Sequence, residues 1–556
     1  MNRDLAAMAS RGYDLVVIGG GITGACIARD AAMRGMSVAL VDKGDFGHAT
    51  TAASSKLIHG GLRYLQYLQL GVVRESLRER RIWAQIAPHM VDPLVFLVPT
   101  WRSRRRRALE LSLALTAYDL LSFDRNRLSD QRMLIPSHRF LNRDEVLALE
   151  PGLNSEDLDG AMLFTDYQMY FPERLALECV LDAATYGAEV ANYVCVERFI
   201  VEGARVCGVM VRDLLDASRE HVLRGAVVIN AGGAWADILM AKLGMGERHR
   251  HLVRSKGIHL LTRAITKGHA IGIQTRDAHF FILPWRGHSL IGTTDVVFQG
   301  EPDDCTVQEQ DILDFLAVVN EAYPAGGLSR EDVLHSYAGL RPIIDMDMGN
   351  KRGGGTYRAS RAAEVYDHEA QEHIGGCITA IGGKWTTSRN LAKKVVDLAA
   401  SKLGRSYASC QTETTPTYGG SIGPFCAYCD AAIREKPGHP ETLVRHFVKN
   451  YGGHWKKVLA ISEEHPTYYE PLSRKAPDIG AQVIYAVRHE MARTLEDVLL
   501  RRTGLGNLGP PDKEVIARVT SLMAEELGWS GLEIEKQSRQ YTSGSKVFPT
   551  CNLGQA

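Results

Sequence analysis

The chain has 556 residues, too many for one hydrophobic core, and we expect about two or three domains. Lys plus Arg and Asp plus Glu number 65 each, so there is no excess of basic charge to attract a nucleic acid. No run of about eighteen apolar residues predicts a membrane-spanning helix, and residues 1–12 lack the apolar core of a secretion signal. The cysteines show no paired framework and include one isolated C-x-x-C at 426–429, whose role stays open. We therefore expect a reduced cytoplasmic protein with no metal site.

The first predicted unit, from Tyr13 to Asp42, is a strand, a glycine-rich turn, a helix and a second strand. Three glycines follow the first strand in the order G-x-G-x-x-G: Gly19, Gly21 and Gly24. The first allows a tight turn, the second lets a pyrophosphate approach the backbone, and the third lets the helix pack on the strand. Asp42 stands where a carboxylate can bind a ribose hydroxyl, and an acid at this place disfavours NADP. The unit therefore predicts a dinucleotide site.

Residues 101–123 combine a basic cluster with a leucine-rich, helix-compatible stretch. Five arginines directly precede the leucines: Arg102, Arg104, Arg105, Arg106 and Arg107. Basic side chains attract anionic lipid headgroups and leucines enter the interface, so this segment favours contact with a membrane surface. A core helix with a solvated arginine turn is the alternative, and the neutral net charge disfavours a nucleic-acid patch.

The middle of the chain predicts short strands mixed with helices. Residues 176–201 predict a helix and then a strand, residues 206–212 and 221–229 a hairpin, and residues 252–300 several short strands. A second strand–Gly-Gly–helix element follows at 378–394. A simple NAD-binding domain would end within about 150 residues. The late element therefore indicates a nucleotide-binding domain with a substrate domain inserted into it, an arrangement typical of flavin enzymes.

Beyond residue 412 the chain becomes helical, with 484–502 as the clearest helix, and 411–424 is a predicted linker. The predicted division is a tail (1–12), a first part of the FAD-binding domain (13–90), a cap and membrane-facing segment (91–165), a second FAD-binding part (166–240), a substrate domain (241–335), a third FAD-binding part (336–410), the linker (411–424) and a C-terminal helical domain (425–556).

Six motifs occur in one order between residues 13 and 395: VIGGGITGACIARDAAMRG, SSKLIHGGLRYL (54–65), VVINAGGAWAD (227–237), LIGTTD (290–295), YAGLRP (337–342) and IGGKWTTSR (381–389). Together they resemble the FAD-dependent glycerol-3-phosphate dehydrogenase family, and residues 485–505 are similar to its tail. The chain departs from that family at 231–234, where Ala-Gly-Gly-Ala replaces a frequent Ala-Thr-Gly-Pro. The resemblance implies FAD as cofactor and an α/β fold. In that fold a glutathione-reductase-like FAD-binding Rossmann domain is interleaved with a β-rich substrate domain and followed by a C-terminal α-helical domain.

Oxidising a secondary alcohol that carries a phosphate requires a base, a cation for the developing alkoxide and cations for the phosphate dianion. The resemblance places His259 at the active-site histidine, with Lys384 as the next candidate base. The predicted catalytic residues are His259, Arg341 and Lys384, and the predicted substrate-binding residues are Arg63, Arg361 and Asp277. The predicted cofactor-binding residues are Gly19, Gly21, Gly24, Asp42, Ser54, Ser55, Lys56, Gly232, Gly382, Gly383 and Thr387. Each arginine taken alone also fits an ordinary surface charge.

The resemblance implies that sn-glycerol 3-phosphate is oxidised to dihydroxyacetone phosphate by hydride transfer to FAD, with electrons passed on to membrane quinone. An oxidase that reduces oxygen to hydrogen peroxide has the same fold and site and stays open. A non-catalytic flavoprotein that binds a partner is a third hypothesis, disfavoured by the intact Arg63, Arg341 and Lys384. We expect a cytoplasmic protein attached peripherally to the inner face of the cytoplasmic membrane. The oligomeric state stays open, with a homodimer as one alternative.

Overall fold

The structure is a computed structural model that describes residues 1–216, 219–243, 252–275, 279–344 and 363–543. The strands are β1 (Gly12–Ile18), β2 (Val38–Val41), β3 (Leu57–Ile58), β4 (Val91–Trp101), β5 (Arg139–Asn142), β6 (Leu158–Met169), β7 (Glu189–Ala191), β8 (Val194–Glu202), β9 (Arg205–Asp213), β10 (Glu220–Asn230), β11 (Leu252–Arg263), β12 (Ala270–Gln274), β13 (His279–Trp285), β14 (His288–Gly292), β15 (Val296–Phe298), β16 (Val333–Ile344), β17 (Glu364–Asp367) and β18 (Cys377–Ile381).

The α-helices are α1 (Leu5–Ala9), α2 (Ile22–Met33), α3 (Leu70–Ile86), α4 (Arg105–Leu121), α5 (Arg143–Leu149), α6 (Pro172–Thr185), α7 (Ala236–Ala241), α8 (Glu309–Ala322), α9 (His368–Glu372), α10 (Ser388–Leu403), α11 (Phe425–Glu435), α12 (Glu441–Tyr451), α13 (Trp455–Ile461), α14 (Pro466–Tyr469), α15 (Gly480–His489), α16 (Lys513–Leu527) and α17 (Gly531–Ser543). A π-helix spans Asp497–Arg502, and a 3-10 helix spans Leu62–Tyr67.

The first sheet carries the predicted dinucleotide unit. Its strands run in the order β17-β18-β10-β1-β2-β7, and β1 pairs in parallel with both β10 and β2. The strands β8 and β9 extend it as an antiparallel ribbon joined to β10, which confirms the hairpin predicted at 206–229. Helices α2, α6 and α10 cover one face, and their apolar side chains form a continuous buried core with the sheet. Three separate parts of the chain therefore build one sheet.

The second sheet is mainly antiparallel and follows the order β15-β11-β14-β13-β12-β4-β6-β3. The long strand β16 pairs with β11 along almost its whole length, and β5 pairs with β6. A separate core lies between this sheet and helix α8. The predicted insertion of a β-rich unit into a nucleotide-binding fold is confirmed.

The C-terminal region is helical, as predicted, with a core of its own. The helix predicted over 484–502 is interrupted, however: α15 ends at His489, and the backbone resumes as the π-helix at Asp497. Thr494 and Asp497 form a capping box at the new helical start: the Thr494 hydroxyl accepts the amide proton of Asp497 at 3.2 Å, and the Asp497 carboxylate accepts the amide proton of Thr494 at 3.0 Å. Met491 in the interruption has a positive φ of 58°, which ends the first helix.

The N-terminal tail also differs from expectation, because residues 1–12 contain helix α1. Leu5 and Met8, three residues apart and on one helical face, are buried against the first sheet. Among the helices that the structure describes, none combines the length and the hydrophobicity needed to cross a bilayer.

Candidate functional site

A cavity of about 1370 Å³ is lined by residues of both sheets. On one side lie the segments that follow β1, β2, β10 and β18, at the carboxyl ends of the parallel strands; on the other lie residues of β11, β13 and β16. Ligands of open α/β sheets bind at this edge. Of the predicted site residues that the structure describes, all line the cavity except Gly24, Lys56 and Thr387.

The glycines after β1 form a cradle in the cavity wall. Gly19 has a φ of +101°, and a Cβ there would lie 2.6 Å from the carbonyl oxygen of Ala231. A Cβ on Gly24 would lie 1.8 Å from the Gly19 carbonyl oxygen, so Gly24 allows the close contact of α2 with the preceding turn. Gly21 caps α2 and faces the cavity, and within the described part of the chain an added Cβ would lie near Thr51 Oγ1 alone, at 3.2 Å. The wall is therefore open to a ligand at Gly21, beside the first amides of α2.

Asp42 follows β2 and lines the same end of the cavity. Its carboxylate accepts hydrogen bonds from the backbone amides of Gly20, at 2.6 Å, and Gly44, at 2.8 Å. These bonds hold the two neighbouring turns together. Because a carboxylate offers about four lone-pair sites, capacity remains for a ribose hydroxyl.

The segment 54–56 contributes two residues to the cavity and one to the interior. The hydroxyl of Ser55 lies 2.8 Å from Nε2 of His259, and the carbonyl of Ser54 accepts a hydrogen bond from Tyr337. Lys56, predicted to bind the cofactor, is instead buried: its Nζ donates to Glu173 at 2.7 Å and to the Ala52 carbonyl at 2.8 Å. Since a buried ammonium needs a counter-charge, Lys56 packs beneath the site and does not line it.

The glycine pairs after β10 and β18 continue the cavity wall next to the first cradle. The amide of Gly232 donates to the side chain of Asn230 at 3.0 Å, which fixes the turn. Gly382 and Gly383 have φ of +69° and +88°, in the left-handed region that favours glycine. All three glycines line the cavity.

Thr387 was predicted as a cofactor contact, but its hydroxyl instead accepts the backbone amide proton of Lys384 at 3.3 Å, as a cap would. The residue that lines the cavity is its neighbour Thr386, whose hydroxyl accepts the amide proton of His59 at 3.1 Å. The offset is one residue, and both threonines lie in the 3-10 turn over Trp385–Thr387 that precedes α10.

His259 lies at the centre of the cavity wall, only 2% exposed. Its ring stacks on Tyr337, with centroids 5.0 Å apart. Burial lowers the pKa of His259 well below its usual value, and the positive charges of Arg341 and Lys56 lower it further. At neutral pH the imidazole is therefore uncharged, with a nitrogen that is able to accept a proton.

Arg341 is held in place by polar groups of neighbouring strands. Its guanidinium donates to the Ser255 hydroxyl at 3.0 Å, the Thr293 hydroxyl at 2.8 Å and the Thr294 carbonyl at 3.1 Å. It occupies the space above Gly257, where a Cβ would lie 2.2 Å from one of its nitrogens. Gly257 is therefore required for the position of this cation.

The two strands that carry these residues place them on one face. In the antiparallel pair β11 and β16, Ser255 is opposite Arg341, Gly257 opposite Gly339, and His259 opposite Tyr337. Residues two apart on a strand share a face. Ser255 and Tyr337, which were not predicted as site residues, were thus recognisable from their even spacing to His259 and Arg341. Thr293, which the LIGTTD motif contains, carried no such signal, because its contact with Arg341 depends on a third strand.

Lys384 and Arg63 line the cavity from the side of the glycine pair. Nζ of Lys384 lies 3.9 Å from the centroid of the Tyr64 ring and donates to the Ser76 hydroxyl at 2.9 Å. Arg63 is in the 3-10 helix Leu62–Tyr67, which starts after Gly61, a residue with φ of +75°. The three predicted cations Arg63, Arg341 and Lys384 therefore line one cavity, together with Lys43 and Arg107. The predicted residues Asp277 and Arg361 lie outside the described part of the chain.

Helix α4 confirms the helix expected within 101–123 and borders the cavity. Its inner face buries Leu115 and Tyr118, whereas Leu109 and Leu113 are 62% and 64% exposed. The neighbouring Leu68 is 82% exposed. Leu68 and Leu113 also line the cavity, which therefore opens between α4 and the end of the 3-10 helix.

Both parts of the chain are similar to proteins of known families. Residues 14–396 match the family described as FAD dependent oxidoreductase, and residues 410–534 match the C-terminal domain of alpha-glycerophosphate oxidase. The chain is 34% identical over 553 residues to a glycerol-3-phosphate dehydrogenase of Synechocystis, with 97% of each chain covered. It is 30% identical to an aerobic glycerol-3-phosphate dehydrogenase of Staphylococcus epidermidis, covering 96% of this chain and 94% of that one.

The chain belongs to the FAD-dependent glycerol-3-phosphate dehydrogenase family. A solved structure of a glycerol-3-phosphate dehydrogenase from Bacillus halodurans complexed with FAD matches with a TM-score of 0.77 and 28% identity, covering 99% of this chain and 98% of that chain. The L-alpha-glycerophosphate oxidase of Mycoplasma pneumoniae, at a TM-score of 0.53 and 15% identity, shares the fold. The family's cofactor is FAD, and the residues present fit it. Gly19, Gly21 and α2 would hold the pyrophosphate, Asp42 the ribose, and the glycine pair at 382–383 would border the isoalloxazine.

Proposed function

We propose that this protein oxidises sn-glycerol 3-phosphate to dihydroxyacetone phosphate, with FAD as hydride acceptor and a membrane quinone as the next electron acceptor. The observation that carries the substrate assignment is that Arg63, Arg341, Lys384 and the neutral imidazole of His259 line the same cavity. Its relatives named glycerol-3-phosphate dehydrogenase, at 30–34% identity over nearly the full length, support the same reaction.

The three cations suit a phosphate dianion and a developing alkoxide. Arg341 is a rigid, hydrogen-bonded guanidinium, and such a group binds phosphate or carboxylate oxygens in a fixed geometry. Lys384, held against the Tyr64 ring, is a compact charge suited to an oxygen at the reacting carbon. Arg63 adds a charge from the 3-10 helix that lies beside Lys384. The substrate is thereby fixed at its phosphate and at its hydroxyl.

His259 is the proposed base. Its lowered pKa keeps it uncharged, and Nε2, which faces the Ser55 hydroxyl, is the nitrogen that would accept the substrate proton, because Nδ1 is buried. The neighbouring positive charges disfavour the imidazolium, so the proton is not retained on His259 at neutral pH. Bound FAD supplies the acceptor for the hydrogen removed from carbon. The protein supplies position, charge and a proton acceptor.

A quinone acceptor is supported by the apolar end of the cavity. The cavity extends from the glycine cradle to Leu113 and Leu68, which are exposed beside the basic start of α4. An exposed apolar patch next to arginines suits an anionic membrane interface. A lipid-soluble acceptor entering there would meet the flavin end of the cavity without crossing water. We propose peripheral attachment through α4 on the same grounds.

The test is anaerobic reduction of the purified flavoprotein followed by separate reoxidation. Glycerol 3-phosphate should bleach the flavin absorbance, and glycerol, which lacks the phosphate, should do so poorly. A quinone analogue in anionic liposomes should then reoxidise the flavin faster than air-saturated buffer does. Faster reoxidation by oxygen with stoichiometric hydrogen peroxide would favour the oxidase, and no bleaching by glycerol 3-phosphate would refute the proposed substrate.

A further inference from the structure

We propose that Tyr118 of helix α4 positions the loop at residues 59–64, which carries Arg63 at the start of its 3-10 helix, through one buried hydroxyl group. The Tyr118 hydroxyl accepts the backbone amide proton of Gly60 at 2.8 Å. The same hydroxyl donates to the carboxylate of Asp166, whose oxygens lie 2.9 and 2.8 Å away. Tyr118 is thus a positioning residue that lies outside the cations and the imidazole of the proposed reaction.

The carboxylate that orients this hydroxyl is itself fixed. Arg80 of helix α3 forms an ion pair with Asp166 and lies over the Tyr118 ring, 5.5 Å from its centroid. Tyr118, Asp166 and Arg80 are each 3% exposed or less. An ionised Asp166 can only accept hydrogen bonds, so the Tyr118 hydroxyl donates its proton to Asp166. The lone pairs of the hydroxyl oxygen are then available to accept the amide proton of Gly60. The buried amide of Gly60 is thereby satisfied.

The loop is closely packed where Gly60 contacts Tyr118. A Cβ on Gly60 would lie 2.4 Å from the Tyr118 hydroxyl and 2.4 Å from Leu77. The next residue, Gly61, has φ of +75° and begins the 3-10 helix that contains Arg63. A displacement of Gly60 would therefore rotate the start of that helix and move the guanidinium of Arg63 within the cavity.

The residue before Gly60 is held by a different part of the molecule. The amide of His59 donates to the Thr386 hydroxyl at 3.1 Å, from the turn that follows β18. Thr386 thus ties the loop to the cofactor side, and Tyr118 ties it to α4. The inference rests on the proposed function, because Arg63 is the proposed phosphate contact. Tyr118 supplies a hydrogen bond that connects α4 to this loop.

The variant Tyr118→Phe tests this role, because it keeps the ring and its edge contact with Phe164 and removes only the hydroxyl. With a soluble dye as acceptor, KM for glycerol 3-phosphate should rise about 10-fold and kcat should change by less than about two-fold. FAD content and the flavin spectrum should be unchanged. Hydrogen–deuterium exchange of the peptide that contains residues 59–64 should become faster.

The matched control is Tyr366→Phe, which removes a hydroxyl that donates to Glu372 at 2.9 Å on the first sheet, away from the cavity. KM in that variant should stay at the wild-type value. An unchanged KM in Tyr118→Phe, or an equal rise in Tyr366→Phe, would overturn the positioning role. If Tyr118→Phe loses its flavin, Gly60→Ala tests the same contact from the loop side and should raise KM similarly.

A different result would refute the proposed function, namely that glycerol 3-phosphate does not reduce the flavin of the wild-type protein. In that case the exchange experiment still decides the anchoring: faster exchange at 59–64 in Tyr118→Phe supports it, and unchanged exchange overturns it.

Discussion

Arg502 of the C-terminal region forms a buried, two-pronged ion pair with Asp45, at 2.8 and 2.9 Å, although 457 residues separate them in the chain. Both side chains have no exposed surface. Asp45 stands three residues after Asp42, the proposed ribose contact, and also accepts a hydrogen bond from Asn192 at 3.0 Å. The helical C-terminal region therefore fixes the loop that continues from the cofactor cradle.

Arg502→Met should weaken both folding and cofactor retention. Asp45 keeps its ion pair with Arg501 at 2.7 Å, so the loss of stability should be smaller than the roughly 3 kcal/mol that an uncompensated buried charge costs. Urea unfolding should show this loss, and the purified variant should contain less FAD. The control is Arg330→Met, which removes an exposed pair with Glu309 and should cost less than about 1 kcal/mol. Full FAD content and wild-type stability in Arg502→Met would contradict a role for this ion pair.

The pH dependence should reflect the neutral state of His259. Its pKa is lowered, so the imidazole stays unprotonated at pH 6.5. The decrease of kcat/KM on the acid side of the pH profile should therefore occur well below pH 6.5. The unfolded chain binds a proton near pH 6.5, whereas the folded chain does not, so this group's contribution to stability declines as pH falls below about 6.5 toward the folded pKa.

His259→Ala should lower kcat by about 10²-fold with unchanged flavin content and remove the decrease of kcat/KM on the acid side of the pH profile. A near-normal kcat with the same profile would move the base to another residue, with Lys384 next.

Two glycines of the cradle should behave differently. Gly21→Val should leave the chain folded, because only Thr51 Oγ1 lies near the added Cβ, yet it should abolish FAD binding by filling the pyrophosphate space. Gly24→Val should instead disturb the fold, since the Cβ would lie 1.8 Å from the Gly19 carbonyl oxygen. Flavin content and thermal unfolding separate the two effects. Normal flavin content in Gly21→Val would exclude the proposed cofactor position.

Arg63→Met should weaken recognition of the phosphate specifically. Loss of a charge-assisted phosphate contact costs about 2 kcal/mol, which is a rise in KM of about 30-fold. Glycerol is the matched control substrate, because its kcat/KM should change little in the same variant. An equal loss for both substrates would place Arg63 outside the phosphate site.

The exposed leucines of α4 should govern attachment to membranes. The double variant Leu109→Ser, Leu113→Ser should sediment less with anionic liposomes and lose the stimulation of quinone reduction, with dye reduction intact. Leu532→Ser, at a residue that is 81% exposed on α17, is the control and should bind liposomes as the wild type does. Binding of the wild type should weaken with salt, because the arginine contribution is screened. Wild-type protein that never binds liposomes would favour oxygen as acceptor.

The sequence alone determined the dinucleotide cradle, the insertion of a β-rich unit into a nucleotide-binding fold and the motifs that supply the predicted site residues. These features depend on local patterns, such as the glycine spacing from Gly19 to Gly24, and on motifs whose order resembles a known family. The even spacing of Ser255 and His259 on β11 also predicts that Ser255 belongs to the site, because the side-chain period of a strand is two.

Only the tertiary structure decided which polar residues face the cavity and which support it. Lys56 and Thr387 belong to motif segments, yet Lys56 pairs with Glu173 and Thr387 caps a turn, because partners distant in sequence or local helix geometry determine where a side chain points. The contacts of Arg341 with Thr293, of Tyr118 with Gly60, and of Arg502 with Asp45 likewise join different elements. Such pairs leave no periodic signal in the chain, since their proximity arises from packing between sheets and helices.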